Sequence, residues 1–458
     1  MKRAILPILA GAIALSTNFA NAGDLKDYQP KPYVEITHPS WSRNAVIYEL
    51  NTRNFTKEGT FKAAQKQLPR LKAMGVDIVW LMPIHPIGEK NRKGTLGSPY
   101  SVRDYFAVNP EFGTKEDLKA FVDEAHKLGM HVILDLVANH TAWDNVMVTK
   151  HPDWWERDIK GNYHPTPWWD WSDIIDLDYS KPELRKYMTD AMVYWVKNYG
   201  IDGYRADVAG YIPVDFWDTA RAKLDKIKPV FMLGEWQDIS LHRKAFDATY
   251  AWDWYNTMEN IAHGKSDATS LYGYYSANES AWPKDTMRMV FTENHDKNAW
   301  EGTGYEAFGD ALPAAIALSF IGEGIPLIHN GQEACNKKRL AFFEKDEIKW
   351  GDCDVTALFP KLVAIKRANP ALQSAQFGGR MIKIENDNPQ QVFSFLRKKD
   401  ANKVVGVFNF SAKLAKVTLH DDFYLGDYYD LDGNQDKIIH NQQLELRPWE
   451  FKIYRTGK

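Results

Sequence analysis

A chain of 458 residues is long for one domain and suits a large unit joined to a smaller one. With 44% apolar and 26% charged residues it can bury a sizeable core under a water-compatible surface, and a formal charge of -3 offers no basic field to nucleic acid or anionic lipid. Aromatic content is 13%, led by 17 Trp, a supply of flat rings that serves core packing and stacking on sugar faces alike.

The chain opens like a signal peptide over residues 1–22. Lys2-Arg3 is followed by an apolar run from Ala4 to Leu15, too short to span a bilayer, and Ala20-Asn21-Ala22 supplies small residues for cleavage. Removing the two cations moves the net charge from -3 to -5. The mature protein is expected to be exported, periplasmic or extracellular, with no lipid anchor because no Cys follows the run. No other stretch is long and apolar enough to cross a membrane.

From Trp41 to about Ala371 one pattern recurs: an amphipathic helix ends on Gly, an apolar strand follows, and a polar cluster closes the unit. A helix over Phe61–Met74 stops at Gly75 and leads into Val76–Leu81. Thr114 with Asp117 predicts a capping box for a helix that breaks at Gly129 before Val132–Leu134. Ser180-Lys-Pro-Glu183 predicts another, for a helix that ends near Gly200. Phe216–Leu224 reads as helix and Val230–Leu233 as strand; Thr249–Trp252, Met287–Phe291 and Ile325–Ile328 are further strands. With Val46–Glu49 at the start there are eight, which predicts an α/β fold, a closed (β/α)8 TIM barrel over 23–372.

Two stretches break the rhythm. Residues 138–179 hold Pro, Gly and aromatics, including Trp154-Trp155 and Trp168-Trp169-Asp170-Trp171, and read as a loop domain inserted after the third strand. Residues 373–458 turn to short alternating strands (Val392–Leu396, Val404–Phe408, Ala415–Leu419, Phe451–Tyr454), a C-terminal antiparallel β domain of sandwich type.

Four strand ends carry chemistry: Asp135-Leu-Val-Ala-Asn139-His140, Gly203-Tyr-Arg205-Ala-Asp207-Val-Ala, Leu233-Gly-Glu235-Trp236 and Phe291-Thr-Glu-Asn294-His295-Asp296. One acid after a strand is ordinary helix capping. Four, three of them beside His, Arg or Trp, put carboxylates where barrel enzymes build active sites. In this order the set resembles the α-amylase family, glycoside hydrolase family 13. Ser98-Pro-Tyr100-Ser-Val-Arg-Asp104-Tyr105, Asp176-Leu-Asp178, Gly324-Ile-Pro-Leu327 and Gly331-Gln-Glu333 extend the likeness over nearly the whole mature chain.

The resemblance implies roles. Asp207 would be the nucleophile, Glu235 the general acid/base and Asp296 the third acid, holding sugar hydroxyls. Arg205 would sit beside Asp207 and keep it ionised. His140 and His295 would bind hydroxyls of the cleaved sugar, with Tyr100 stacked beneath its ring and Trp236 beside Glu235. The chemistry asks for the same types, since retention needs one attacking carboxylate and one proton-donating acid. Arg lowers the pKa of a neighbouring Asp, and a tighter site among other acids raises that of Glu.

Many calcium-dependent relatives carry Lys-His just after the nucleophile, where this chain has Val208-Ala-Gly-Tyr211, closer to the cyclomaltodextrin- and maltose-processing branch. That branch often carries an extra N-terminal domain, for which residues 23–40 leave no room. The chemistry needs no cofactor. Any calcium is expected to be structural, held by Asn139 and Asp176 between barrel and inserted loop, with a carbonyl from Tyr211. Cys335 and Cys353, the only cysteines, are expected to form a disulfide in an oxidising compartment. The expected activity is retaining hydrolysis of α-1,4 bonds in starch or maltooligosaccharides. The alternatives are α-1,6 cleavage or transglycosylation by a maltogenic or neopullulanase-like member, and a non-catalytic glucan-binding barrel, against which the intact acids argue.

Overall fold

Eight parallel strands close on themselves in the computed structural model, which describes residues 28–457 and so leaves the candidate signal peptide outside the described residues. They are β1 (Ile47–Leu50), β2 (Ile78–Leu81), β3 (His131–Leu136), β4 (Gly203–Ala206), β5 (Phe231–Gly234), β6 (Ala248–Tyr250), β7 (Met287–Val290) and β8 (Ile325–His329). Each pairs with its sequence neighbours, and β1 pairs with β8 (Ile47 with Leu327, Glu49 with His329) to shut the barrel. From Val34 onward the chain is one compact unit.

The helix-to-strand turns work as the Gly pattern implies. Gly75 takes φ 101°, and a Cβ there would stand 2.3 Å from Val363 Cγ1, so both the turn and the close approach of a later helix exclude other residues. Thr114 and Asp117 make the reciprocal capping box of the helix Lys115–Lys127. Ser180 does not do the same. Lys181 occupies the cap position without a side-chain bond and Pro182 opens the helix Pro182–Tyr199, its missing N–H needing no partner in the first turn. The helix expected over Phe61–Met74 is two helices, Phe61–Gln65 and Leu68–Met74, because Pro69 cannot continue a helix from upstream but readily starts one. The strand expected over Thr249–Trp252 ends at Tyr250, and Trp252 already begins a helix running to Ala262.

Between β3 and the next helix the inserted loop is pinned by a small antiparallel pair, His140–Ala142 against Ile174–Asp176, with a 3-10 turn at Pro152–Trp154. After the barrel, a six-stranded antiparallel sheet runs in spatial order Met381–Lys383, Val392–Lys399, Asn402–Asn409, Phe451–Arg455, Gly426–Tyr429 and Gln435–Ile438. Its two faces follow the period of two. Phe393, Phe395 and Phe408 join the barrel core, while Val392, Leu396, Val405 and Val407 join a second core with Ala415, Val417 and Leu446 of a two-stranded sheet.

Candidate active site

The barrel ladder carries three acids past the ends of their strands. Asp207 donates its backbone N–H to Leu136 O at 3.0 Å, and Glu235 donates its own to Ala206 O at 3.0 Å, so both side chains issue from fixed backbone at the carboxyl end. Asp296 lies six residues beyond β7 and starts a π-helical turn, Lys297–Glu301, anchored by Asn294 Oδ1 on the Lys297 N–H at 2.8 Å.

Arg205, on β4 and wholly buried, is the hub. Its Nη1 donates to Asp135 Oδ1 at 2.8 Å and to Asp207 Oδ1 at 3.0 Å, and Nε donates to the Tyr250 hydroxyl at 3.2 Å. Nη2 stands 2.7 Å from Glu235 Oε2 as an ion-pair contact without hydrogen-bond alignment. The same Glu235 oxygen accepts the Val208 N–H at 2.8 Å. To present that N–H, Val208 takes φ 36° and ψ 48°, a left-handed conformation costly for a β-branched residue.

Around this hub stand the remaining predicted residues. Tyr100 donates its hydroxyl to Asp135 Oδ2 at 3.0 Å and meets His295 Nε2 at 2.8 Å. His295 Nδ1 faces Glu49 Oε1 at 2.5 Å, and its Nε2 lies 3.3 Å from Asp296 Oδ2. His140 Nε2 is 3.8 Å from Asp207 Oδ2. Burial pulls the His140 imidazole down to about 3, so it is neutral there; His295 is also pulled down by burial, but Asp296 and Glu49 outweigh this and lift it to about 9. Asp135 stands in the first of the four motifs but carried no role there, and Glu49 and Tyr250 were read only as strand residues. Glu49 had a signal, an acid at the carboxyl end of the first strand.

Glu49, Asp135, Asp207, Glu235 and Asp296 thus meet two cations, Arg205 and His295. The expected lowering of Asp207 by Arg205 is overridden. Burial is the largest influence and repulsion from Glu235, Asp135 and Asp296 adds to it, so Asp207 is carried well above the carboxylate range despite Arg205. Glu235 is raised as well, by burial first and Asp296 next, against the pull of Arg205. Both carboxyls are raised, and they titrate as a coupled pair.

Aromatic rings wall the cluster. Trp236 follows Glu235 and packs over Gly210, where a Cβ would fall 2.2 Å from the indole; only Gly fits. Tyr211 stands 5.0 Å from Trp236, and Trp169 of the inserted loop donates Nε1–H to the Tyr211 hydroxyl at 3.0 Å. On another side Phe342 stacks 6.0 Å from Tyr100, backed by Trp300 at 5.1 Å. Phe342 belongs to the segment closed by a Cys335–Cys353 disulfide, which forms as predicted.

Asn139 and Asp176 do meet, but as a latch. Asn139 Nδ2 donates to Asp176 Oδ1 and to Thr166 Oγ1, both at 3.3 Å, and the Thr166 hydroxyl donates to the same carboxylate oxygen. Burial lifts Asp176 to about 6 against those hydrogen bonds. In this arrangement the Asp176 carboxylate accepts from an amide and a hydroxyl, whereas a calcium held by Asn139 and Asp176 would draw on the Asn139 oxygen and on backbone carbonyls to reach six to eight oxygens. Among the described residues, the grouping that gathers three His, Cys, Asp or Glu ligand atoms is Cys335, Cys353 and Asp354, two of them tied in the disulfide.

Residues 49–367 match the family model for the alpha-amylase catalytic domain. Among solved structures, a noncanonic maltogenic alpha-amylase, AmyB from Thermotoga neapolitana, is 35% identical with a TM-score of 0.83, covering 91% of this chain and 99% of that one. An alpha-amylase from Lactobacillus plantarum is 32% identical at a TM-score of 0.81, covering 92% and 100%. Alpha-amylase MalA of Haloarcula japonica is 26% identical over 90% of this chain, which spans 62% of that protein's length.

Proposed function

We propose, from the premise that this chain belongs to the alpha-amylase family of glycoside hydrolases, that it cleaves α-1,4 bonds of maltooligosaccharides or starch with retention of configuration. The observation that carries the reading is the single Arg205 guanidinium touching both Asp207 and Glu235, with Asp296 close by on His295. The reaction needs an ionised nucleophile and a protonated donor, and two coupled carboxyls on one guanidinium can divide a proton between them in that way. Asp207 attacks the anomeric carbon as Glu235 gives its proton to the departing glycosidic oxygen, and a β-linked ester to Asp207 forms. Glu235, now ionised, takes a proton from water, whose oxygen displaces Asp207 and leaves an α-configured sugar. His140, neutral and therefore able both to accept and donate, and His295 hold hydroxyls of that sugar, and Tyr100 lies beneath it.

A second reading, transfer to a sugar acceptor or α-1,6 cleavage, is favoured by one feature. The Trp236–Tyr211 wall beside Glu235 offers ring faces where a leaving or incoming sugar would stand, and Val208-Ala-Gly-Tyr211 replaces the more polar Lys-His pattern. Export is part of the proposal, supported by Lys2-Arg3, the apolar run and Ala20-Asn21-Ala22, and by a disulfide suited to an oxidising compartment.

Proton NMR of the first product from maltotriose tests the mechanism: an α-anomer is expected, and an initial β-anomer would refute Asp207 as nucleophile. Product profiles on soluble starch, pullulan and dextran then separate the two readings, since pullulan cleaved faster than starch supports the second.

A further inference from the structure

Glu49, the penultimate residue of β1, has no exposure, and its register partner across the barrel seam is His329. Its Oε1 lies 2.5 Å from His295 Nδ1, while Oε2 is buried with no hydrogen-bond partner. On the opposite ring nitrogen, His295 Nε2 meets the Tyr100 oxygen at 2.8 Å and Asp296 Oδ2 at 3.3 Å. The Tyr100 hydroxyl proton is already committed to Asp135 Oδ2, so at His295 that oxygen can only accept. An ionised Glu49 likewise only accepts. Acceptors on both sides require N–H on both nitrogens, which a neutral imidazole cannot supply.

We propose that Glu49 is a positioning residue that holds His295 as an imidazolium throughout the neutral pH range, so that His295 serves the site as a fixed cation and never as a titrating base. The use made of that cation, a fixed charge 3.3 Å from Asp296 and beside a sugar hydroxyl, rests on the proposed function; the charge state does not. The groups that face His295 come from every side of the barrel mouth. They are Glu49 from β1, the Trp80 ring edge at 5.8 Å from β2, Tyr100 from the following loop, Asp135 from β3, Arg205 from β4, Glu235 after β5, Asp296 beside it, and Phe342 from the segment after β8. Arg205 is the one cation among them and opposes the effect, as burial does, yet the two carboxylates prevail. In return His295, with help from His329 and Arg205, holds Glu49 below its ordinary range although burial works the other way.

The test is histidine 15N NMR on the full chain, the His295 signals being assigned by their loss in His295→Gln. In the unsubstituted protein both ring nitrogens should stay protonated through pH 8 and release a proton near 9. A neutral ring at pH 7 would overturn the proposal without any variant, so it stays testable even where a substitution fails to fold. In Glu49→Gln, which keeps the shape and removes the charge, the midpoint should fall by roughly 1–2 pH units. The alkaline limb of kcat/KM should move with it while the acid limb stays. Glu49→Asp, charged but one methylene shorter, should recover at least half of that shift. An unmoved midpoint in Glu49→Gln refutes the role of Glu49, and a moved midpoint with an unmoved alkaline limb refutes the use of the cation. Should the product anomer refute the mechanism instead, the NMR titration still reads the charge.

Discussion

Asp247, the residue before β6 at the amino end of the barrel, is buried as Asp207 is at the carboxyl end, and each is bonded to an Arg. Their surroundings differ in charge ratio. Asp247 accepts from Arg221 Nη1 at 2.7 Å, from His38 Nδ1 at 2.7 Å and from the Met232 N–H at 2.8 Å, and Arg221 serves one further acid, the exposed Asp225. Burial pushes it up, but Arg221 and His38 win, and it titrates below the usual range. Asp202, before β4, is likewise held down by His126, His131 and Lys228. At the carboxyl end Arg205 and His295 are shared among five acids, and Asp207 and Glu235 go up. The same residue types therefore fasten the barrel at one end and raise Asp207 and Glu235 at the other. The ratio of acids to cations decides which.

The comparison breaks most visibly in Asp207→Asn. Turnover of maltotriose should drop at least about 10⁴-fold because an amide is a poor nucleophile. Melting temperature should hold or rise, since a repelling carboxylate is removed; a collapse of the fold would mean that this end too is built for stability.

Asp247→Asn should do the reverse. It leaves the buried Arg221 with Asp225 as its remaining carboxylate partner and should cost about 3 kcal/mol, read from denaturant midpoints, with kcat of the folded fraction within about twofold. The pH dependence has a definite sign. The lowered Asp247 contributes stability that is present above its unfolded value and is lost as pH falls through the lower folded one, so the unsubstituted protein should weaken below about pH 4. His38, raised by Asp247 against burial, contributes stability that is fully present below its unfolded value and lost as pH rises through the folded one. Asp247→Asn should flatten both slopes.

A smaller effect sharpens the contrast from within the carboxyl end. Replacing Cys335 and Cys353 by Ser opens a loop of 18 residues separation and should cost about 3 kcal/mol by chain entropy. Because Phe342 rides on that loop, KM for maltotriose should rise while kcat changes little; steady-state kinetics on the variant checks this. The smallest shift is expected for Val208→Gly. Relief of the left-handed strain should add about 1 kcal/mol of stability, and a looser N–H on Glu235 should lower kcat severalfold.

Much of this was legible beforehand, for physical reasons. A helix that must turn back onto a parallel strand needs a left-handed stop, so Gly75 and Gly200 marked strand starts, and acids after apolar runs marked the barrel mouth. Asp207, Glu235 and Arg205 are brought together as their strand ends implied, with Asp296, Tyr100, His140 and His295 beside them as the family resemblance implied. What local pattern misses is set by partners far along the chain. The charge of Asp207 depends on Glu235 and Asp296, and the failure of the Ser180 cap depends on Pro182 taking over the start of the helix. The short strands Gly426–Tyr429 and Gln435–Ile438, the latter at the sheet edge, carry little signal because their outward residues are polar and only one face, at Tyr428 and Ile438, is buried.

The seam between β1 and β8 also fixes a schedule. Ile47 pairs with Leu327, about 280 positions later, so the first strand has one neighbour in β2 and none on its other edge until the last strand has been made. At roughly 5–20 residues per second of synthesis that interval lasts on the order of 15–60 s. Throughout it the apolar edge of Ile47–Leu50 is open to wrong partners, and the Cys335–Cys353 bridge, which lies beyond β8, can only lock a barrel that has already closed. Yield of the folded protein should thus hinge on what shields that first edge in the growing chain.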